Sequence, residues 1–125
     1  MTTPEQRAPT ILVVDDEPQV RRLASRALEH QGYHVIQATD GLEALGLFTD
    51  DAGIDLLVTD VRMPHTDGIV LAAALRRRYP HVPVLFISGF PRGTEPAPEP
   101  FLAKPFEMQT LCDRVKELLA GRRSG

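Results

Sequence analysis

The 125-residue chain has the size of one folded domain. Hydrophobic residues make up 42% of it and charged residues 25%, which is typical of a globular protein rather than a disordered or membrane-embedded one. The net charge of -3 supplies no basic surface, so we expect no direct binding of nucleic acid. No apolar run reaches the ~20 residues that span a bilayer, and the start of the chain lacks a signal-peptide pattern. We therefore expect a cytoplasmic protein without membrane contact, and the single Cys112 agrees with a reducing compartment.

Short apolar runs alternate with amphipathic segments along the chain, which is the pattern of parallel strands joined by crossover helices. Because these runs are apolar and mostly β-branched, we expect strands that are covered on both faces. The predicted strands are residues 11–14, 35–38, 56–59, 84–87 and the shorter 101–103. We assign residues 10–120 to one folded domain and the polar segments 1–9 and 121–125 to flexible tails.

Four segments have a helical repeat. The first begins at Pro18, a residue suited to a first helical turn, and ends before Gly32. The second begins at Asp40, with Glu43 three residues later as in a capping box. A third covers about residues 68–78. The last has the most regular apolar repeat in the chain: Met108, Leu111, Cys112, Val115, Leu118 and Leu119.

The connection between the fourth and fifth strands departs from this pattern. Residues 89–100, GFPRGTEPAPEP, contain four prolines and two glycines, so a full helix cannot form there. A parallel crossover needs about a dozen residues, which is the length available. We predict an extended or turn-rich crossover, in which the fourth crossover helix is short or absent.

Acidic residues stand at the ends of two predicted strands. Asp15 and Asp16 follow the first strand, and Asp60 follows the third. The carboxyl ends of parallel strands share one edge of an open sheet, and ligands bind there. Two unit charges 4 Å apart repel by about 4 kcal/mol at an effective dielectric of 20, so three converging carboxylates require a cation. Oxygen ligands with room for water and phosphate favour Mg2+.

The same edge should receive Ser88, which ends the fourth strand, and Lys104, which ends the fifth. A carboxylate nucleophile, a magnesium site, a hydroxyl and an ammonium are the groups that in-line phosphoryl transfer requires. Each residue also has a plainer explanation. The acidic pair can form a polar turn in which Asp16 or Glu17 caps the first helix. Ser88 can satisfy a backbone group, and Lys104 can be a solvated charge, so the combination carries more information than any single residue.

Four segments resemble the motifs of the response-regulator receiver family: VVDDEPQVRR, LLVTDVRMPHTDG, VLFISG and FLAKPF. They occur in order at strand ends, and the resemblance covers residues 11–119. It implies a flavodoxin-like three-layer α/β sandwich with a five-stranded parallel sheet in the order 2-1-3-4-5. The proline-rich crossover resembles that of receivers fused to hybrid sensor kinases and of some stand-alone regulators.

The resemblance also implies a role for each acidic residue of the site. Asp60 would be the phosphoacceptor nucleophile and a ligand of Mg2+. Asp16 would be a direct metal ligand, Asp15 a ligand through water, and the backbone carbonyl of Arg62 a further ligand.

The remaining implied roles concern the response to phosphorylation. Lys104 would contact the phosphoryl group, with a cis bond to Pro105. Ser88 would move to hydrogen-bond the phosphoryl oxygens, and Phe101 would turn inward to fill the space. Many members have a tyrosine at the position of Phe101, so a switch here would act by packing without a phenolic hydrogen bond.

The function implied is that of a phosphoacceptor, not an enzyme that acts on other substrates. A sensor histidine kinase or a histidine phosphotransfer protein would supply the phosphoryl group, and the domain would be a monomer or a weak dimer with an unidentified downstream partner. Two alternatives stay open. One is a Mg2+-dependent small-molecule phosphatase or phosphotransferase, although the chain offers no cap insertion to bind a substrate. The other is an unphosphorylated docking module, against which the intact set of site residues argues.

Overall fold

The computed structural model describes residues 8–63, 67–89 and 100–124, with side chains described through residue 121. These residues form five β-strands and four α-helices. The strands are β1 (Thr10–Val14), β2 (His34–Ala38), β3 (Ile54–Asp60), β4 (Val84–Ser88) and β5 (Phe101–Ala103). The helices are α1 (Pro18–His30), α2 (Gly41–Leu47), α3 (Gly68–Arg78) and α4 (Met108–Ser124), and a short 3-10 turn (Asp50–Ala52) precedes β3.

The five strands are all parallel, in the order β2-β1-β3-β4-β5. This confirms the predicted sheet order and the flavodoxin-like class. Strand β1 pairs with β2 along one of its edges and with β3 along the other, so the direction of the strand order reverses at β1. The carboxyl ends of β1 and β3 therefore border the crevice in which open α/β sheets bind their ligands.

Both faces of the sheet are covered by apolar side chains. Ile11 and Val13 of β1 belong to a buried cluster that also includes residues of α1 and α4. Leu12 and Val14 belong to a second cluster, with residues of α2 and α3. All four side chains are fully buried, and burial of each contributes about 1.5–3 kcal/mol. The end of β1, where Asp15 follows, is thus anchored between two cores.

The helix N-termini follow the sequence signals for capping. The Asp40 carboxylate accepts a hydrogen bond from Glu43 N at 2.9 Å, and the Glu43 carboxylate accepts one from Thr39 N at 2.6 Å. The Asp67 carboxylate accepts hydrogen bonds from Ile69 N and Val70 N at the start of α3. These bonds satisfy N–H groups that have no partner inside the helix.

None of the described helices has both the length and the apolar character needed to cross a lipid bilayer.

Two expectations from the sequence concern the ends of the chain and the crossover between β4 and β5. Helix α4 continues to Ser124, into the segment that the sequence assigns to a tail, so residues 121–124 are helical. The flexibility of both tails stays a prediction. The proline-rich crossover falls largely on residues 90–99, which lie outside the described residues, so a short or absent fourth crossover helix also stays a prediction.

Candidate functional site

A cleft of about 350 Å³ lies at the carboxyl edge of the sheet. Its lining residues are Asp16, Glu17, Asp60, Arg62, Ser88, Gly89 and Lys104. All of them except Glu17 and Gly89 are site residues predicted from the sequence. Asp15 follows β1 beside the cleft and is fully buried. The structure therefore brings together residues from four strand ends, as parallel strands predict.

Three carboxylates converge at this edge. One oxygen each of Asp15, Asp16 and Asp60 lies within 4.8 Å of the others. Asp15 and Asp60 are buried, whereas Asp16 is exposed. Two buried carboxylates beside a third one form a strongly anionic centre, which is unfavourable without compensating positive charge.

Asp15 is held by its own backbone surroundings. Its Oδ1 accepts a hydrogen bond from Glu17 N at 2.9 Å, which closes the turn into α1. Its carbonyl oxygen accepts a hydrogen bond from the Arg21 guanidinium at 2.8 Å, and its N–H donates to Ala38 O at 3.2 Å. Asp15 is thereby tied to α1 and to the end of β2.

Asp60 is the last residue of β3, and both its side-chain carboxylate and its backbone carbonyl group have close contacts. Its Oδ1 accepts a hydrogen bond from Arg62 N at 3.3 Å. Its carbonyl oxygen accepts one from the Thr59 hydroxyl at 2.9 Å. Gly68 packs directly against that carbonyl group, and a Cβ at residue 68 would overlap with the oxygen. Glycine at the start of α3 is therefore required for the chain to pass this close to Asp60.

Lys104 supplies positive charge to the anionic centre. Its Nζ lies 2.6 Å from Glu17 Oε1, 2.9 Å from Asp15 Oδ2 and 3.0 Å from Asp60 Oδ2. Its backbone N–H donates to Ser88 O at 2.8 Å, which places the residue beside the end of β4. The peptide bond to Pro105 is cis, as the resemblance implies. One ammonium is thus shared by three carboxylates.

These contacts shift the pKa values of Lys104 and Asp60. Burial lowers the pKa of Lys104, but its close contacts with the carboxylates of Glu17, Asp15 and Asp60 outweigh this effect, so the pKa lies above its usual 10.5. Burial raises the pKa of Asp60 above its usual 3.8, and the Asp15 charge raises it further, against the opposing effect of Lys104 and Arg62 N. The ammonium is therefore charged throughout the neutral range, and it only partly compensates the buried Asp60 carboxylate.

The raised pKa of Asp60 has a consequence for stability without divalent cations. The folded protein holds the Asp60 proton more tightly than the unfolded chain, so the favourable contribution of protonation is lost as pH rises through the folded pKa. We expect Asp60→Asn to be more stable than the wild type at neutral pH in EDTA, with a difference that narrows in acid. Urea unfolding at neutral pH and in acid measures this difference in the free energy of unfolding. Asp51→Asn, an exposed control, should show no such gain, and an Asp60→Asn protein that is less stable at neutral pH would contradict this account.

The site has the features expected of one for a small divalent cation. Asp15 Oδ2 is buried and receives no hydrogen bond from the described part of the chain, although Lys104 Nζ lies 2.9 Å away. Ligands at 2.0–2.1 Å place opposite oxygens of an octahedral Mg2+ about 4 Å apart, so three carboxylate oxygens within 4.8 Å of one another need only a small approach, or one bridging water, to share an ion. Hard oxygen donors at this spacing, one of them without a hydrogen bond, fit Mg2+.

Ser88 and Phe101 lie at different distances from this centre. Ser88 ends β4, is buried and lines the cleft, one residue beyond Ile87, which pairs with Asp60. Phe101 begins β5, pairs with Phe86, and packs half-buried against the cluster beneath α2 and α3. Phe101 is not among the residues that line the cleft, and its role as a switch stays a prediction. The Arg62 carbonyl as a ligand is likewise a prediction.

Two residues of the site are not found by sequence reasoning. Glu17 occupies the N-cap position of α1, but its side chain makes no capping hydrogen bond, and it contacts Lys104 instead. The interpretation of Glu17 as a cap is therefore wrong. Arg21 binds the Asp15 carbonyl oxygen from one turn along α1, and its Nε donates to Gln37 Oε1 at 3.3 Å. The sequence signal that could have indicated them is that Glu17 and Arg21 are two long polar side chains at the start of a helix that follows acidic residues.

Comparison with known proteins identifies the family. The family model described as the response regulator receiver domain matches residues 11–116. The chain belongs to the response regulator receiver domain family. The acidic pocket of this receiver domain, formed by Asp15, Asp16 and Asp60, is consistent with a phosphoacceptor site.

Relatives of the receiver domain include much longer proteins. It is 38% identical over 117 residues to the sensor kinase CckA of Brucella abortus (strain 2308), covering 88% of this chain and 12% of that protein. It is 37% identical over 123 residues to the transcriptional regulatory protein PrrA of Mycobacterium tuberculosis, covering 94% of this chain and 52% of that protein. The chain thus spans about half, or much less, of these relatives.

Solved structures agree with this assignment. The receiver domain of the hybrid histidine kinase CckA is 45% identical, with a TM-score of 0.76 over 88% of this chain and 98% of that chain. A response regulator receiver protein from Sinorhizobium medicae WSM419 is 31% identical, with a TM-score of 0.83 over 93% of this chain and 98% of that chain. The likeness to CckA confirms the predicted resemblance to receivers of hybrid kinases.

Proposed function

We propose that this receiver domain accepts a phosphoryl group on Asp60 in a reaction that depends on Mg2+, and that it changes conformation in response. One observation carries the proposal: the Asp60 carboxylate belongs to the cluster of three acidic residues and also lies 3.0 Å from the Lys104 ammonium. A nucleophile, a cation site and a positively charged donor meet at one side chain. These are the groups required for in-line phosphoryl transfer.

In the proposed reaction, an Asp60 carboxylate oxygen attacks the phosphorus of a phosphohistidine. The O–P bond forms as the P–N bond breaks, and the imidazole nitrogen keeps the electron pair and takes up a proton. In the later hydrolysis, water attacks the same phosphorus, the bond from phosphorus to the Asp60 oxygen breaks, and inorganic phosphate leaves as the carboxylate is restored. Arg62 N, hydrogen-bonded to Asp60 Oδ1, orients the carboxylate, and Lys104 donates to the phosphoryl oxygens.

The acidic residues would hold the cation in this proposal. Asp16 and Asp60, Asp15 through water, and the Arg62 carbonyl would bind Mg2+, which when bound supplies neutralisation of the phosphoryl charge. The Ser88 hydroxyl would donate a further hydrogen bond to the phosphoryl group. We propose that the response is transmitted through Ser88 and Phe101.

The proposed donor is a sensor histidine kinase or a histidine phosphotransfer protein. The likeness to the receiver domain of the hybrid histidine kinase CckA supports this class of partner. We propose that the domain acts in the cytoplasm, because phosphohistidine is made from ATP, and that it catalyses only its own phosphorylation and dephosphorylation. A monomer or weak dimer without direct contact to nucleic acid is sufficient for that role.

Labelling of Asp60→Asn tests the proposal. Wild-type protein incubated with acetyl phosphate and Mg2+ should gain one phosphoryl group by intact mass, and the gain should disappear in EDTA. Asp60→Asn should gain none, because the amide is not a nucleophile of this kind. The control Asp51→Asn, an exposed residue in the turn before β3, should be labelled like the wild type. Labelling of Asp60→Asn, or sustained release of phosphate from small metabolites, would contradict the proposal, and the latter would favour a phosphatase.

A further inference from the structure

Glu17 brings to the cleft a carboxylate that the proposed reaction does not use. The residue occupies the N-cap position of α1, yet its side chain makes no capping hydrogen bond. Instead, its Oε1 lies 2.6 Å from Lys104 Nζ, which is the shortest of the three contacts of that ammonium. The two residues are 87 positions apart in the sequence, so the fold alone brings them together.

The three carboxylates around Lys104 differ in how freely they can move. The Asp15 side chain is 0% exposed and that of Asp60 is 7% exposed, whereas the Glu17 side chain is 59% exposed. Asp15 and Asp60 are also held by hydrogen bonds from Glu17 N and Arg62 N. Glu17 reaches the ammonium from the solvent side, so it is the partner that can leave with the least disturbance.

We propose that Glu17 is a positioning residue that holds the Lys104 ammonium while Asp60 is unphosphorylated and competes with the phosphoryl group for it. This inference rests on the proposed phosphorylation of Asp60. A phosphoryl donor is anionic, and the Asp16 and Glu17 carboxylates line the cleft that it enters. The donor must also take over a hydrogen bond that Lys104 gives to Glu17. Both effects make phosphorylation slower than the catalytic groups alone would allow.

Substitution of Glu17 by glutamine separates these effects from a structural role. Glu17→Gln keeps the length of the side chain and removes its charge. Glu29→Gln is the matched control: it makes the same change of net charge at an exposed position on the same helix, about 18 Å away at 1.5 Å per residue. With saturating Mg2+, we expect Glu17→Gln to be phosphorylated by acetyl phosphate about threefold to tenfold faster at low donor concentration. Glu29→Gln should match the wild type.

The ammonium group itself gives a readout that is independent of phosphorylation. The chain has only two lysines, Lys104 and Lys116, so their side-chain resonances are readily assigned by NMR. In metal-free, unphosphorylated protein, the Lys104 ammonium should exchange slowly with water in the wild type and in Glu29→Gln. In Glu17→Gln its exchange should be clearly faster, because its shortest hydrogen bond has lost the charged acceptor.

The possible results are distinct. If the wild type is phosphorylated but Glu17→Gln reacts at the same rate or more slowly, the role of Glu17 is overturned and the function of Asp60 stands. If the Lys104 ammonium exchanges with water at the same rate in Glu17→Gln as in the wild type, the positioning contact is overturned. A wild-type protein that takes up no phosphoryl group overturns the proposed function and this inference together.

Discussion

Lys104→Met is expected to slow phosphorylation of Asp60 by about 100-fold, the usual effect of removing one donor that stabilises a developing charge. The same substitution leaves the buried Asp15 and Asp60 carboxylates without their ammonium partner. In EDTA at neutral pH, we expect the free energy of unfolding to fall by about 2 kcal/mol, less than for a fully enclosed pair because Lys104 faces an open cleft. Phosphorylation kinetics with acetyl phosphate and urea unfolding measure the two effects.

The other lysine of the chain provides the control for this experiment. Lys116 is exposed on α4, and Lys116→Met should leave both rate and stability unchanged. Mg2+ should restore part of the stability lost in Lys104→Met, since it neutralises the same carboxylates. A Lys104→Met protein with a wild-type rate of phosphorylation would show that the ammonium does not act on the phosphoryl group.

Asp16→Asn is expected to weaken Mg2+ binding by about tenfold or more, because the affinity of a carboxylate site depends on the number of its charges. Asp16 is exposed, whereas Asp15 and Asp60 are buried. Its substitution should therefore leave the fold intact and the stability in EDTA unreduced. Isothermal titration with Mg2+ measures the dissociation constant directly.

Asp51→Asn is the matched control for Asp16→Asn. Asp51 is also exposed, but it lies in the 3-10 turn that precedes β3, at the opposite edge of the sheet from the cleft. We expect its Mg2+ affinity to equal that of the wild type. Equal affinities in the wild type and Asp16→Asn would exclude Asp16 as a ligand, and the cation would have to be placed elsewhere.

Local sequence patterns were sufficient to predict most of the fold. Each predicted strand lies within an observed one, and β3 differs most, since it extends over Ile54–Asp60 where residues 56–59 were expected. Helix α3 has the predicted limits, because Asp67 caps its first turn. Apolar runs and capping residues act over a few neighbours, so a single sequence reveals them. The last helix ends later than expected, since polar residues can continue a helix through backbone hydrogen bonds without an apolar face.

The site could be predicted only as a set of residues at strand ends. The positions of Asp15, Asp60, Ser88 and Lys104 follow from parallel topology. The contacts between their side-chain atoms do not follow from topology. Contacts between segments that are distant in the sequence depend on the twist of the sheet and on the space that neighbouring side chains leave. The contact of Glu17 with Lys104 is of this kind, and so is the half-buried packing of Phe101 outside the cleft lining.

Identification of the phosphorylated residue tests the central claim most directly. Wild-type protein is phosphorylated with acetyl phosphate and Mg2+, reduced with borohydride to convert an aspartyl phosphate to homoserine, digested, and sequenced by mass spectrometry. We expect conversion at Asp60 alone, since its carboxylate lies in the acidic cluster and contacts Lys104. Conversion at Asp15 or Asp16, or a phosphoryl group recovered on a serine or histidine, would contradict the assignment of Asp60 as the acceptor.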